Sequence, residues 1–307
     1  MSSHQDRLIH WLLGSLELET TLFHLGQYCG SWQASISGLA RSGFHLVLDG
    51  QCWLHLPGDV SPHRLQSGDA VFFLRDTPHT LSPLADPVLA AQAPRVAMQA
   101  LDGSVADGVA LACGFFEFRS ALNRVFLESF PDYVVIPAQG AELTELRPLF
   151  DLILMEAKSS SQEPSPLIER LVGLLFFYVI RHLCLRQEVV AGLWALLARP
   201  EFALLLAAII QSPGQDWNVQ AMADLTHMSR ATFFKRFMQT CGVTPAQVLQ
   251  QLRMQRASQL IQEGLSLSRT AEQVGYQSDA AFSRVFKKTT GVLPGAYRRT
   301  CHADARA

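Results

Sequence analysis

Residues 225–245 read LTHMSRATFFKRFMQTCGVTP, and residues 274–294 read VGYQSDAAFSRVFKKTTGVLP. The two stretches superpose without a gap at an offset of 49 residues, and 8 of the 21 positions are identical. The identical pairs are of types that begin, pack or end a helix: Ser229/Ser278, Ala231/Ala280, Phe233/Phe282, Phe237/Phe286, Thr240/Thr289, Gly242/Gly291, Val243/Val292 and Pro245/Pro294. This repeat predicts two copies of one supersecondary unit.

Each copy is predicted to be a helix, a tight turn and a second helix. In the first copy, residues 219–225 have an amphipathic pattern, and Ser229 is a favourable N-cap for the helix after the turn. Phe233 and Phe237 lie on one face of that helix because they are four residues apart, and Gly242 suits the left-handed position that ends it. The second copy repeats this plan with a helix over 268–274, Ser278 as the cap and Gly291 at the end.

Residues 245–262 join the two copies and contain no internal Gly or Pro. Their apolar residues recur at helical spacing, which predicts one connecting helix. An 18-residue helix spans about 27 Å. It is therefore long enough to hold the two second helices near the repeat of about 34–36 Å that separates successive major grooves on one face of DNA.

The charge distribution also favours nucleic acid as a partner of the C-terminal third. The chain has 307 residues, of which 49% are hydrophobic, and a net charge of −2. Residues 1–198 carry 12 Lys and Arg against 20 Asp and Glu, whereas residues 199–307 carry 13 against 7. The first part is therefore acidic and the second basic, which is typical of a DNA-binding segment attached to another domain.

Composition excludes several other classes of protein. The apolar content excludes disorder over most of the chain, and no apolar run reaches the roughly 18 residues that a membrane span needs. The N-terminal residues lack the pattern of a secretory signal, so we expect a cytoplasmic protein. The six cysteines have no paired spacing and predict no disulfide framework.

The exposed face of each second helix is the expected DNA-reading surface. Arg284 is the strongest candidate for reading a base, since a guanidinium suits guanine O6 and N7, and Phe234 can meet a thymine methyl group. Lys287 and Lys288 suit phosphates. A solvated helix face is the alternative explanation for any one of these residues. The full candidate set is Arg230, Ala231, Phe234 and Lys235 in the first copy and Asp279, Ala280, Ser283, Arg284, Lys287 and Lys288 in the second.

Residues 32–118 have short apolar stretches separated by Gly, Asp and Pro, which is typical of β-structure. Residues 44–48 and 51–56 flank the turn Asp49-Gly50 and predict a hairpin. Further strands are expected over 70–74 and 109–118. A small β-barrel or sandwich is the expected arrangement.

A metal-dependent enzyme is the main alternative from another class, because a small barrel can hold a metal through histidines. His45 and His79 can converge on folding, but no HxH motif followed by Glu is present. Two imidazoles without a carboxylate more often form hydrogen bonds in a core. The chain also lacks a P-loop, a dinucleotide-binding glycine motif and a Ser/His/Asp grouping. We therefore predict no catalytic residue, metal or cofactor.

Residues 156–166, which contain the run Ser159-Ser160-Ser161 and two prolines, are interpreted as a linker. Residues 166–187 form a predicted helix that is apolar almost all round and must be covered. The spacing of Leu167, Leu171, Leu174 and Tyr178 also suits a seam between two helices. This helix is either core or a homodimer interface, and the interface is favoured.

The C-terminal residues resemble the DNA-binding domain of the AraC/XylS transcriptional regulators over residues 200–299. One departure is Asp279, an acidic residue at the start of the second recognition helix, which would repel phosphate but can accept from cytosine N4. The motifs that carry the resemblance are Trp217-Asn-Val219, Ala223, Leu225, Ser229-Arg230, GVTP at 242–245, LRM at 252–254, Ala257, VGY at 274–276, Phe282, FKK at 286–288 and GVLPGAYR at 291–298.

Residues 6–187 resemble the cupin-type sensor of a subgroup of these regulators. The overall pattern is similar to that of a subgroup that senses reactive chlorine through two cysteines, which correspond to Cys29 and Cys113. The resemblance implies that oxidation of these thiols changes the DNA-bound form. Two structural cysteines beside glycines are the alternative. The motifs are Cys29-Gly30-Ser-Trp32, Phe44-His45, Gly68-Asp69, Pro78-His79 and Cys113-Gly114.

The sequence thus predicts an α+β multidomain protein. We expect a cupin-like β-barrel sensor over 6–155, a linker and helical dimerisation segment over 156–198, and an all-α domain with two helix-turn-helix units over 199–300. The expected function is sequence-specific binding of double-stranded promoter DNA under control of a small-molecule or oxidant signal. The expected partners are promoter DNA, RNA polymerase if the protein is an activator, a second copy of the chain and a small-molecule effector, but no membrane. A constitutive DNA binder is a second alternative.

Overall fold

A computed structural model describes residues 8, 11, 18–59, 61–101, 108–118, 130–138, 146–159, 165–185 and 192–304. Within these ranges the chain has eight strands and eleven helices. It forms two compact units. One contains the described residues of Leu18–Phe118 and Pro131–Ile180, and the other contains Leu8, Trp11, Phe130 and the described residues from Arg181 onward. The predicted α+β organisation is confirmed. Among the helices described, none is long and apolar enough to cross a membrane.

The first unit is built on two antiparallel sheets. Five strands form one sheet in the order β1-β7-β2-β5-β8, and three strands form the other in the order β4-β3-β6. The strands are β1 (Leu18–Cys29), β2 (Ser42–Asp49), β3 (Gln51–His55), β4 (His63–Gln66), β5 (Ala70–Phe73), β6 (Thr80–Ser82), β7 (Gly108–Phe118) and β8 (Tyr133–Ile136).

The strands predicted over 44–48, 51–56, 70–74 and 109–118 are confirmed as β2, β3, β5 and β7. The predicted hairpin is wrong, because the chain passes from one sheet to the other after β2: β2 pairs with β5 and β7, whereas β3 pairs with β4 and β6. Gly50 joins β2 to β3 with a φ of 79°, a conformation that favours glycine. The sequence did not predict β1 or β8, which form the two edges of the larger sheet. Edge strands lack the continuous apolar pattern of central strands, and β1 alternates exposed with half-buried residues at its start.

The space between the two sheets is filled by aliphatic and aromatic side chains. Two histidines, His45 and His79, are buried in the same unit. The buried apolar residues are Tyr28, Trp32, Ile36, Val47, Cys52, Leu54, Leu56, Leu65, Val71, Phe73, Leu81, Val109, Leu111, Cys113 and Phe115. The unit built on the two sheets therefore has a packed apolar core that encloses a few polar groups.

The helix α3 (Pro166–Leu185) covers the other face of the larger sheet. Its Phe176 packs against Phe72, Phe116 and Phe118, with ring centroids 4.7 to 6.1 Å apart. Glu169 accepts a hydrogen bond from the Leu22 backbone N–H at 2.9 Å. This face of the predicted apolar helix is therefore core.

The preceding α2 (Arg147–Ser159) corrects the predicted linker, because residues 156–159 are helical. Phe150, Ile153 and Ala157 of this helix are buried. Burial of this face stabilises the helix beyond the point where its sequence becomes polar. Residues 160–164 of the predicted linker, and the predicted domain boundary at residue 6, lie outside the described residues. A short helix, α1 (Pro87–Gln92), precedes β7.

The second unit is helical. Its helices are α4 (Gly192–Leu197), α5 (Pro200–Gln211), α6 (Val219–Leu225), α7 (Arg230–Cys241), α8 (Pro245–Gln262), α9 (Leu267–Gln273), α10 (Asp279–Thr290) and α11 (Pro294–Asp304). The predicted caps are confirmed: Ser229 and Ser278 accept from backbone N–H groups, and Gly242 and Gly291 are left-handed at φ 75° and 82°. The connecting helix α8 has the predicted bounds, with a capping box at Thr244 and Gln247.

The two helix-turn-helix units differ by one residue in the turn. The second helices correspond at the offset of 49, but the first helices begin after Asn218 and Ser266, an offset of 48. The left-handed turn residues His227 and Gly275 have the same offset of 48. The gap-free superposition is therefore wrong before Ser229. The second turn has one extra residue, Gln277. All eight identical pairs lie after this residue, so the sequence match between the copies could not reveal the insertion.

Phe233 and Phe234 are neighbours in sequence and differ in burial. Phe233 is 0% exposed and packs against Phe202 and Phe237, whereas Phe234 is 42% exposed. Phe233→Ala should lower the free energy of unfolding of the helical unit by about 3–5 kcal/mol because it opens a cavity. Phe234→Ala, the matched control, should change it by about 0.5 kcal/mol or less. Urea denaturation of the full chain followed by circular dichroism measures both, and equal losses would contradict this packing.

Candidate DNA-reading surface and buried thiol cluster

The exposed face of α7 carries the four residues predicted for the first unit. Arg230, Ala231, Phe234 and Lys235 are all exposed. With Val219 they line an open groove of about 570 Å³. Its lining combines apolar side chains with two cations, a combination that can accept a thymine methyl group beside a phosphate.

The exposed face of α10 carries the predicted residues of the second unit. Asp279, Ala280, Arg284, Lys287 and Lys288 are exposed, and Ser283 is half-buried. Three cations therefore lie on this face against one carboxylate.

The carboxylate of Asp279 has a partner within the protein. Its Oδ2 accepts from the Ser268 hydroxyl at 2.5 Å, which joins the first and second helices of this unit. At the corresponding positions the first unit has Gln220 and Arg230, and Gln220 donates to Asp224 on its own helix instead. The two helices of the second helix-turn-helix unit are therefore bridged by a side-chain hydrogen bond, and the corresponding side chains of the first helix-turn-helix unit do not form this bridge.

A buried cluster in the cupin-like unit, which is built on the two β-sheets, centres on Cys113. This residue lies opposite His24 of β1 and opposite His45 of β2, so the three residues form one row across the sheet. Gly114 permits the close approach of these strands, since a Cβ there would lie 2.3 Å from the Phe44 ring. Packing within the sheet therefore explains why a glycine follows Cys113.

Hydrogen bonds join Cys113 to two histidines and a backbone carbonyl. The Cys113 Sγ lies 2.9 Å from His45 Nδ1, and His45 Nε2 lies 2.9 Å from His79 Nε2. The His79 Nδ1–H donates to the Thr77 carbonyl at 2.8 Å. The Phe73 ring stacks on His79 with centroids 3.8 Å apart.

The direction of each bond follows from the carbonyl, which only accepts. In neutral His79 the Nδ1 carries the proton, so its Nε2 must accept from the His45 Nε2–H. The Nδ1 of neutral His45 then accepts from the Cys113 S–H. The chain is complete, and each donor has one acceptor.

Burial keeps these groups uncharged. It lowers the pKa of His45 well below its ordinary value of 6.5, and the neighbouring His79 and His24 lower it further. Burial also lowers the pKa of His79, opposed by its bond to the Thr77 carbonyl and by Asp76. Burial raises the pKa of the Cys113 thiol, and Cys52 adds to this effect. Both imidazoles are therefore neutral, and the sulfur is protonated, at neutral pH.

The cluster does not have the geometry of a metal site. In the part of the chain that the structure describes, no group of three His, Cys, Asp or Glu residues could hold a metal ion. The donors of His45 and Cys113 are arranged in a line and bonded to each other, whereas metal ligands converge on one point.

His45 and His79 do meet, but no motif in the sequence indicates that Cys113 joins them. The contact depends on strand register between residues 68 positions apart, which sequence spacing does not encode.

The two predicted redox cysteines lie apart. Cys29 is exposed at the end of β1 and pairs in register with Gly108, five residues from Cys113 along β7. Five residues of a strand span about 17 Å. A disulfide needs a Cα separation of about 4.4–6.8 Å. This sheet therefore excludes a direct Cys29–Cys113 disulfide.

Comparison with known families places both units. Residues 7–184 match the cupin family, and residues 222–300 match the helix-turn-helix domain family.

Three relatives resemble the chain over most of its length. A putative AraC-like transcription regulator of Streptomyces lividans is 30% identical over 88% of this chain and 90% of its own. An uncharacterized HTH-type transcriptional regulator of Haemophilus influenzae is 28% identical over 89% and 92%. The RCS-specific HTH-type transcriptional activator RclR of Escherichia coli is 26% identical over 83% of each chain. The chain belongs to the AraC-like family of DNA-binding transcriptional regulators, with a cupin domain followed by tandem helix-turn-helix units.

Proposed function

We propose that this regulator reads promoter DNA through α7 and α10 in successive major grooves. The observation that carries the proposal is the pair of exposed, cation-bearing recognition helices joined by the 18-residue helix α8. The proposed domain division is a sensor over 6–155, a dimerisation segment over 156–198 and a DNA-binding domain over 199–300.

The residues of the two recognition helices have different proposed roles. Arg284 reads a guanine, and Phe234 contacts a thymine methyl group at the floor of its groove. Arg230, Lys235, Lys287 and Lys288 contact phosphates, and the small Ala231, Ala280 and Ser283 allow the helices to approach the bases. Asp279 has a positioning role, because its carboxylate is already bonded to Ser268.

RNA polymerase is the proposed protein partner at the promoter. One relative is named a transcriptional activator, and an activator acts by way of the polymerase. The proposed site of action is the cytoplasm, where bacterial promoter DNA lies.

Arg284→Ala should weaken binding to the specific site by about 1–3 kcal/mol and relax the preference at one base position. Lys287→Ala, the matched control on the same helix, should weaken specific and random DNA alike because a phosphate contact carries no sequence information. Fluorescence anisotropy with the protein's own upstream DNA and with a scrambled duplex, at fixed salt, measures both effects. If both variants lose affinity equally on both duplexes, this division of roles is wrong.

A second copy of the chain is the proposed partner of the outer face of α3. Leu167, Leu174 and Tyr178 are exposed on this helix, on the side away from Phe176. Their spacing of seven and four residues matches the seam of two packed helices. An apolar stripe of this kind is costly to leave in water.

Leu174→Glu should therefore convert the dimer into a monomer, since it introduces a charge into an apolar interface. Leu204→Glu, an exposed leucine on α5, is the matched control and should leave the dimer intact. Sedimentation velocity of the full chain at micromolar concentration distinguishes the two species. A wild-type chain that sediments as a monomer would refute the dimer.

An oxidant is the proposed signal, and Cys113 is its proposed target. The thiol is bonded to His45 in a packed apolar interior, which favours a small reactive molecule over a bulky ligand. One relative is named RCS-specific. Cys29 is proposed as a second, independent oxidisable thiol, since the sheet keeps the two cysteines apart.

Stoichiometric hypochlorous acid should change the affinity of the wild-type chain for its promoter DNA by about fivefold or more, the lower end of typical allosteric coupling. Cys113→Ser should not respond, whereas Cys29→Ser should retain most of the response because Cys29 is exposed outside the core. An unchanged affinity in every chain would leave a constitutive binder or a small-molecule effector as the better account. A full response in Cys113→Ser would rule out Cys113 as the target.

A further inference from the structure

We propose that His45 accepts the thiol proton of Cys113 as this residue reacts with a small uncharged oxidant, and that His79 is a positioning residue that holds His45 in the required tautomer. This inference deepens the proposed function, because it rests on Cys113 as the oxidant's target. It assigns roles to two buried histidines that DNA binding does not use.

The hydrogen-bond chain supplies the geometry. The lone pair of His45 Nδ1 faces the Cys113 thiol at 2.9 Å, within reach of a direct proton transfer. The other nitrogen of His45 bonds to His79, which is itself fixed by the Thr77 carbonyl. The free lone pair is therefore always directed at the sulfur.

The resting state of the pair is neutral, and this makes a proton acceptor necessary. Burial raises the pKa of the Cys113 thiol, so thiolate is scarce at neutral pH. A thiol is a weak nucleophile compared with its thiolate. A thiolate–imidazolium pair formed in advance is disfavoured, since burial lowers the pKa of His45. Proton transfer must therefore accompany the attack of the sulfur.

Other titratable groups face the Cys113–His45 pair from the surrounding elements. Some shift the pKa of His45 or His79 by their charge, and the pKa of others is itself shifted by burial. His24 of β1 lies opposite Cys113 and, when charged, lowers the pKa of His45. Asp76 raises the pKa of His79. The remaining groups are Tyr28 on β1, whose pKa is raised by burial and by Cys113, and Cys52 on β3, whose pKa burial and Asp69 raise to about 12.

The surroundings of Cys113 restrict the oxidant. The thiol is buried among apolar side chains, which oppose the entry of a charged or large reagent. On one side, however, its register partner His24 is exposed to solvent. We place the entry of a small neutral molecule beside His24.

With hypochlorous acid the reaction balances without another reagent. The sulfur attacks chlorine, an S–Cl bond forms, and the Cl–O bond breaks with its electron pair leaving on hydroxide. The thiol proton passes to His45 Nδ1 and then combines with the hydroxide as water. Water next displaces chloride from sulfur, which leaves a sulfenic acid, chloride and one proton. Sulfur loses two electrons in this sequence and chlorine gains two.

The test measures the modification rate of Cys113 in the full chain by peptide mass spectrometry, with hypochlorous acid and separately with iodoacetamide. His45→Gln keeps an acceptor oxygen for the thiol but cannot take its proton. We expect the rate of this variant to fall about 100-fold or more at pH 7, the usual range for a lost general base. His79→Gln should give a smaller loss. His63→Gln, a histidine whose ring bonds to Asp59 near the surface, is the matched control and should react at the wild-type rate.

The dependence on pH separates a chemical role from a structural one. With iodoacetamide, which does not ionise in this range, the wild-type rate should be flat between pH 6.5 and 8, because both His45 and the thiol are neutral throughout. In His45→Gln it should rise about tenfold per pH unit, since the reaction then needs thiolate formed by solvent. If the substitutions merely loosened the core, the modification rate of Cys113 would instead rise in both His45→Gln and His79→Gln. The pH profile of the wild type would then differ from the profiles of both variants.

The outcomes distinguish this inference from the proposal on which it rests. If Cys113 of the wild type is not modified, the oxidant target itself is wrong. If Cys113 is modified equally fast in the wild type and in His45→Gln, with the same pH profile, the role of His45 is refuted and the oxidant target stands. Should His45→Gln fail to fold by circular dichroism, His79→Gln carries the same test, and a wild-type rate and profile in that variant would refute the role of His79.

Discussion

The hydrogen-bond chain from Cys113 to the Thr77 carbonyl is the constraint on which the sensor half depends. A polar group buried in an apolar core costs free energy unless it is bonded, and a partly bonded network is worse than none. His45 and His79 satisfy each other, and each also has one further partner. The protonated thiol completes this arrangement, because it supplies the donor for His45. Oxidation of Cys113 to a sulfenic acid replaces this S–H by a larger S–O–H group, and so changes the packing and the bond geometry at the start of the chain.

The sheet that carries this chain is also the platform for α3. The strands β7 and β2 present Cys113 and His45 on one face, and β7 presents Phe116 to Phe176 on the other. A change in the spacing of these strands would therefore alter the contacts of Cys113 on one face and those of Phe176 on the other. The same helix exposes the apolar stripe proposed for dimerisation, so one element joins the sensor core to the proposed contact between copies.

The DNA-binding half shows how one repeated unit acquires two different surfaces. The packing residues of the copies are alike, as with Phe233 and Phe282, because the helix pair needs the same core. The surfaces differ because the second turn is one residue longer and Asp279 bridges to Ser268. The first copy keeps an open groove beside Phe234. In the proposed mode of DNA binding, the two recognition helices therefore present unlike surfaces to their grooves.

Local signals made the helical half predictable. Ser229, Gly242 and Pro245 act within a few residues of themselves, and the predicted bounds of α8 are confirmed. The sensor was predicted less fully, because β1 is an edge strand whose pairing depends on distant residues. The register that joins His45 to Cys113 is likewise a tertiary property. The sequence could therefore suggest that His45 and His79 meet, but it could not suggest the third member of the chain.

The most direct test of this account is the tautomeric state of the two histidines in the reduced protein. A chain labelled with ¹⁵N-histidine, with signals assigned through His45→Gln and His79→Gln, gives this in a ¹H–¹⁵N correlation spectrum at pH 7. The account predicts neutral rings, with the proton on Nε2 of His45 and on Nδ1 of His79. A proton on Nδ1 of His45, or a charged imidazolium at either residue, would contradict it.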